Sequence, residues 1–263
     1  LDDGQGAAGN SVGTLNVSHM AISGAGQAVD IDQGGALNVV LDSLSSTGGT
    51  SGVQLAGTAS SGAGLLSGTF NGGSGAISGS TSAGFLVGDG LGTASSGGTA
   101  VITYGGTISA NGTARTVDIQ DHSTGLVTLS GNLTHTGSGG SAVFLDDNSS
   151  SFTFSGASHT LTTGTANAIS ISDQTGGTVG FSGTLNIDTT SGTGINLGGT
   201  SSGTVNFTGG NLTIDTTGGA GFSATGGGTV NVTGTGNHIN SGSGTALNIS
   251  NTTIGASNVT FQD

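Results

Sequence analysis

Residues 183–217 read GTLNIDTTSGTGINLGGTSSGTVNFTGGNLTIDTT. The phrase Leu185-Asn-Ile-Asp-Thr-Thr190 returns as Leu212-Thr-Ile-Asp-Thr-Thr217, 27 residues later. Within each copy the apolar residues alternate with polar ones, the period of a strand with one buried face. A strand-like phrase that recurs at a few tens of residues is the mark of stacked units, so the period must be followed along the whole chain.

It persists. A small residue followed by apolar, any, apolar and a polar turn occurs at Val29/Ile31, Val53/Leu55, Phe85/Val87, Val117/Ile119, Val143/Leu145, Ile169/Ile171, Ile195/Leu197, Phe222/Ala224 and Leu247/Ile249. Successive first members lie 24, 32, 32, 26, 26, 26, 27 and 25 residues apart. Two further alternating runs follow in each unit, for example Val179/Phe181 and Leu185/Ile187 after Ile169/Ile171. Three short strands in about 26 residues, separated by Gly, Ser, Thr, Asn and Asp, predict an all-β parallel solenoid. Nine coils are expected, each stacking its three strands on those of the next coil. A right-handed coil follows from the general preference of parallel crossovers. At ~4.8 Å per coil the rod would be roughly 45 Å long.

The two 32-residue spacings call for longer loops. Phe70 and Phe85 share with Phe207 and Phe222 a 15-residue spacing and the order Phe, x, Gly, Gly … Ile … Ala-Gly-Phe. That alignment puts the extra residues around 57–68 and 88–98, on one side of adjacent coils, where they either form a surface feature or are tolerated Gly/Ser loops.

Composition narrows the function classes. The 263 residues include 57 Gly, no Pro, no Cys and no Trp, and the formal charge is -13. All 14 acidic residues are Asp, and Arg115 is the single Lys or Arg. So few cations argue against nucleic acid and anionic membrane surfaces as partners, because both demand Lys and Arg. Lack of Cys removes disulfides and thiolate metal sites and suits a chain exported unfolded. No apolar window is long enough to span a bilayer, and LDDGQGAAGN has neither the basic nor the apolar region of a signal peptide. The expectation is a soluble segment of a longer protein. Neither the start, LDDGQGAAGNSVG, nor the end, after Asn258-Val-Thr-Phe261, carries a helix, Pro or Lys to cap the coil. End-to-end association with other copies is therefore also expected.

From about Leu15 to Phe261, in stretches such as TVGFSGTLNIDTTSGTGINL, the chain resembles the right-handed β-helix of bacterial surface proteins. Autotransporter passengers, filamentous-haemagglutinin-like adhesins and related β-strand-repeat proteins are of this kind. The resemblance implies an extracellular or cell-surface structural and adhesive rod without catalysis. Its partners would be a host or neighbouring-cell surface, a glycan or other copies of the chain.

The candidate chemistry is acidic. Two residues past the second apolar position of the first strand stand Asp89, Asp121, Asp147 and Asp173, with Gly199, Gly226 and Asn251 in later coils. Carboxylates stacked at coil spacing repel unless they are protonated or share cations, and oxygen ligands of this kind suit Ca²⁺. The same positions suit turns, where Asp, Asn and Gly interchange. The Gly-Gly-x-Gly-x-Asp calcium signature is absent, so turn capping is the expected role and a calcium ladder the alternative. Asp188 and Asp215 pose the same choice.

A polysaccharide-acting enzyme would use clustered Asp, and Asp146/Asp147 with Asp121 and His122 is the nearest set. A polyuronate substrate would also require basic residues that this chain lacks. His135 and His159 fall on third strands of adjacent coils, too few for a zinc site. Outward Thr103, Thr128, Thr153, Asn206 and Asn231, beside Ser130, Ser155, Ser182, Thr208 and Thr233, suggest a hydroxyl array of the kind a ligand- or ice-binding solenoid presents. Gly180 and the Asn residues interrupt it.

Overall fold

The computed structural model of the chain describes residues 13–59, 61 and 64–262, and among them there is no α-helix. The Gly/Ala-rich start of the sequence lies outside these residues, as do positions 60, 62 and 63 of the first enlarged loop. The chain forms a parallel β-solenoid of about nine coils.

Among the described residues the first sheet has nine strands: Val29–Ile31, Ser51–Leu55, Ala83–Val87, Arg115–Gln120, Val143–Asp146, Ile169–Ile171, Ile195–Leu197, Phe222–Ala224 and Leu247–Ile249. Their leading apolar residues stack in one column: Val29, Val53, Phe85, Val117, Val143, Ile169, Ile195, Phe222, Leu247. This is the column expected from the repeat.

The other two faces are joined into 17 strands, because Thr14–Gly24 and Gly35–Ser46 run unbroken along both. From the third coil the chain breaks at the corner, as in Leu66–Asn71 and Ala76–Ile77. The quoted phrases lie one over the other: Leu185 pairs with Leu212, Ile187 with Ile214 and Asp188 with Asp215.

Why the chain breaks there is written in its glycines. A Cβ on Gly156 would stand 2.3 Å from the Gly131 carbonyl oxygen, and one on Gly183 would stand 1.8 Å from that of Gly156. Only glycine lets successive corners approach at coil spacing, which explains the recurring Ser-Gly of LSGNL, FSGAS and FSGTL.

Parallel pairing in register also places like side chains on each other inside the coil. Phe154 and Phe181 stack with centroids 4.6 Å apart and planes at 12°, and Phe181 and Phe207 stack at 5.2 Å and 8°. Such pairs add about 0.5–1.5 kcal/mol beyond area burial. Phe222 and Phe261 continue the series edge-on.

The extra residues fall between Ser51–Leu55 and Leu66–Asn71, and between Ala83–Val87 and Val101–Tyr104. The two loops touch, since the Gly57 N–H donates to the Ser96 carbonyl at 2.7 Å. They mark one corner of the rod.

Candidate functional site

Past five of the first-sheet strands the chain turns through a residue of positive φ: Asp121 (φ 56°), Asp147 (52°), Asp173 (48°) and Asn251 (51°), with Gly199 in the same register at 136°. Asp, Asn and Gly are the residues that enter this region at little cost. The turn points the next residue inward. His122, Asn148, Gln174 and Thr200 are all buried and tie the corner together. Asn148 Oδ1 accepts from the His122 N–H at 2.8 Å, and its Nδ2 donates to the Ile119 carbonyl at 2.9 Å. Gln174 Nε2 donates to the Ser150 and Gly176 carbonyls at 2.8 and 2.5 Å. These amides satisfy carbonyls of the corner backbone.

This inward polar column escaped the sequence reading. Its signal was available in Asp121-His, Asp147-Asn and Asp173-Gln, which recur every 26 residues.

Asp89 departs from the pattern. It stands where the chain leaves for the 88–98 loop, and Gly98 is the residue that pairs with His122. Asp89 Oδ1 instead accepts from the Leu91 and Thr93 N–H groups at 2.8 and 3.3 Å and from the Ser96 hydroxyl. Burial raises its pKa, but the bonds from Thr93, Leu91 and Ser96 outweigh that and hold it below the usual carboxylate value. Asp121 and Asp147 shift the other way. Burial raises both, and neighbouring carboxylates raise them further: Asp147, Asp89 and Asp146 for Asp121, Asp146 and Asp173 for Asp147. Among the described residues no three His or Asp side chains gather closely enough to hold a metal ion.

Of the set Asp121, His122, Asp146 and Asp147, the three carboxylates share a corner while the histidine ring lies inside. His122 Nδ1 sits 2.7 Å from the Gly97 carbonyl and Nε2 2.8 Å from that of Gly125, so both ring nitrogens face backbone. Burial lowers its pKa, with the two carbonyls pulling in the opposite direction. Asp146 accepts a hydrogen bond from the Ser172 hydroxyl at 2.5 Å.

His135 and His159 both point into the core, at different levels. His135 pairs with Leu161, while His159 accepts from the Leu133 N–H through Nδ1 at 3.1 Å. Burial lowers both pKa values, that of His159 to about 4.

Two outer faces repeat polar residues coil after coil. Thr103, Thr128, Thr153, Gly180, Asn206 and Asn231 form one column, of which the last member, Asn231, is buried rather than outward; its Nδ2 donates to Asn206 Oδ1 at 2.7 Å. The third face carries a more regular pair of columns that the sequence reading passed over. Its rows are Ser109-x-Asn111, Thr134-x-Thr136, Thr160-x-Thr162, Asn186-x-Asp188, Thr213-x-Asp215 and His238-x-Asn240. Asp188 and Asp215 are exposed within it, and Asn240 Nδ2 donates to Asp215 at 3.2 Å.

The outer face of the first sheet is interrupted beside the enlarged loop. Thr116 and Val117 both donate to the Ala142 carbonyl, at 3.0 and 2.9 Å, a local departure from the ladder. Arg115 and Asp118 come to one side there. Arg115 Nη1 donates to Asp118 Oδ2 at 2.7 Å, and Gln120 Nε2 donates to Asp118 Oδ1 at 2.8 Å. The guanidinium also lies 3.6 Å from the centre of the Phe144 ring. With Asp89 and Leu91 of the loop, Arg115 and Asp118 border an open cleft of about 380 Å³.

Compared with protein-family models, with curated proteins and with solved structures, the chain matches none.

Proposed function

We propose that this chain is a stiff structural and adhesive rod, part of a secreted or surface-displayed bacterial protein of the adhesin or autotransporter-passenger kind. The observation that carries this reading is the exterior: two faces present repeating Thr, Ser, Asn and Asp columns at coil spacing. A repetitive polar wall of this kind makes many equivalent weak contacts with a glycan-bearing surface, which multivalency adds up. The His122 ring is engaged by the Gly97 and Gly125 carbonyls, and Asp121 and Asp147 stand at left-handed turns of the backbone. Such groups support a role in holding the coil.

The test is incubation with a panel of neutral and acidic polysaccharides, alongside adhesion of protein-coated beads to glycan-coated surfaces. The reading expects adhesion without product. Turnover that disappears in Asp121→Asn or Asp147→Asn would replace it with a polysaccharide-acting enzyme. A second reading, ice or ordered-ligand binding, draws on the adjacent rows Thr134-x-Thr136 and Thr160-x-Thr162. Thermal hysteresis that is lost on Thr134→Leu and Thr160→Leu would establish it.

A further inference from the structure

We propose that the cleft between the 88–98 loop and Arg115 is a binding site for a neutral saccharide. The proposal rests on the adhesive reading above and gives it a place. Its volume, about 380 Å³, lies at the lower end of the roughly 300–1,000 Å³ range of small-ligand sites.

Charge decides the ligand class. Arg115, half-buried on Phe144, faces any cation that would approach Asp89 and Asp118 and repels it. An anion meets the field of a chain carrying -13, with the one guanidinium already paired to Asp118. A neutral polyhydroxylated ligand escapes both penalties.

The lining supplies what such a ligand uses. Asp118 is nearly buried and bonded at both oxygens, so it fixes the guanidinium rather than meeting the ligand. A guanidinium has five N–H donors, which leaves others for hydroxyl oxygens. Asp89 is held ionised by its loop bonds, so its second oxygen accepts from hydroxyl groups. Leu91 stands on the loop tip 86% exposed, between Gly90 and Gly92, and Leu86 lies on the floor. An 86% exposed leucine gains nothing for the fold. Over a cleft it offers an apolar wall to the C–H face of a sugar ring.

Saturation-transfer NMR and calorimetry with neutral trisaccharides (gluco-, manno- and N-acetylglucosamine series) and with trigalacturonate test the assignment. At least one neutral trisaccharide is expected to receive saturation, and trigalacturonate none. Leu91→Ser and Asp89→Asn should each weaken binding about tenfold, with the melting temperature of Leu91→Ser unchanged. No transfer to any neutral sugar, or transfer untouched by both variants, overturns the cleft. Glycan adhesion by the beads that survives both variants, with saturation transfer lost in both, supports the cleft and leaves the adhesion to the polar faces. Adhesion absent in the wild type, with saccharide binding still lost in both variants, removes the adhesive reading and keeps the cleft.

Discussion

Coils built on Ile169–Ile171, Ile195–Leu197 and Phe222–Ala224 differ from those built on Ala83–Val87 and Arg115–Gln120 in one respect that matters. In the former, like side chains stack on like at several positions: phenylalanine on phenylalanine, glycine on glycine, Thr-x-Asp on Asn-x-Asp. In the latter, an enlarged loop, a ladder irregularity and the one Arg break the repetition. Stacked repeats draw their stability from neighbour contacts, so the regular coils are where substitution is costly. The irregular coils are where the chain is free to differ, and there the cleft lies.

The largest effect expected from this contrast is in the aromatic stack. Phe181→Ala removes a ring packed on both sides and should cost about 3–5 kcal/mol, read from denaturant midpoints. Leu91→Ser in the irregular region should change stability by less than about 0.5 kcal/mol. Similar costs for the two would erase the distinction.

Next comes acid. The folded His159 titrates at about 4, below its unfolded value near 6.5, so the unfolded chain takes up this proton first. Stability is therefore full above about pH 6.5, is lost as pH falls toward about 4, and levels off below. This group alone accounts for up to about 3 kcal/mol, at 1.36 kcal/mol per unit. His159→Leu matches Leu133 and Leu185 in the same column and should flatten that acid limb, measured by melts from pH 7 to 4.

Gly156→Ala should follow, at roughly 1–3 kcal/mol, because its Cβ would meet the Gly131 carbonyl with no room to shift. A cost near zero would show that the corner is looser than the stacking implies.

The smallest effect concerns the carboxylate turn. Asp121 and Asp147 have raised folded pKa values, so their contribution opposes folding at neutral pH and eases as pH falls through those values. Asp147→Asn keeps the turn, as Asn251 does in the last coil, and should leave stability at pH 7 within about 0.5 kcal/mol of wild type. EDTA and millimolar Ca²⁺ should leave the melting temperature alone. A rise with Ca²⁺ that Asp147→Asn removes would make the turn a cation ladder.

The regular coils were legible because one residue type recurs at one place. The spacing from Val117 to Val143 to Ile169 fixes the first column and, through it, the sheet register. The enlarged loops were legible as departures from that spacing. The inward column of His122, Asn148 and Gln174 was not, because its residues share a direction and a polar tip but no identity. Arg115 and Asp118 escaped for another reason. They meet on one face through a local departure from strand period, and a period-2 reading puts residues three apart on opposite faces.

The central claim is the stack itself, and the lack of native Cys makes it directly measurable. Pairs of spin labels at Thr103 with Thr128, Thr153 or Asn206 sample one outer column at one, two and four coils. Dipolar spectroscopy should give distances that grow by about 4.8 Å per coil, a backbone separation of roughly 5, 10 and 19 Å before label linkers are added. Distances that do not increase in that order and in those steps would contradict a continuous parallel stack.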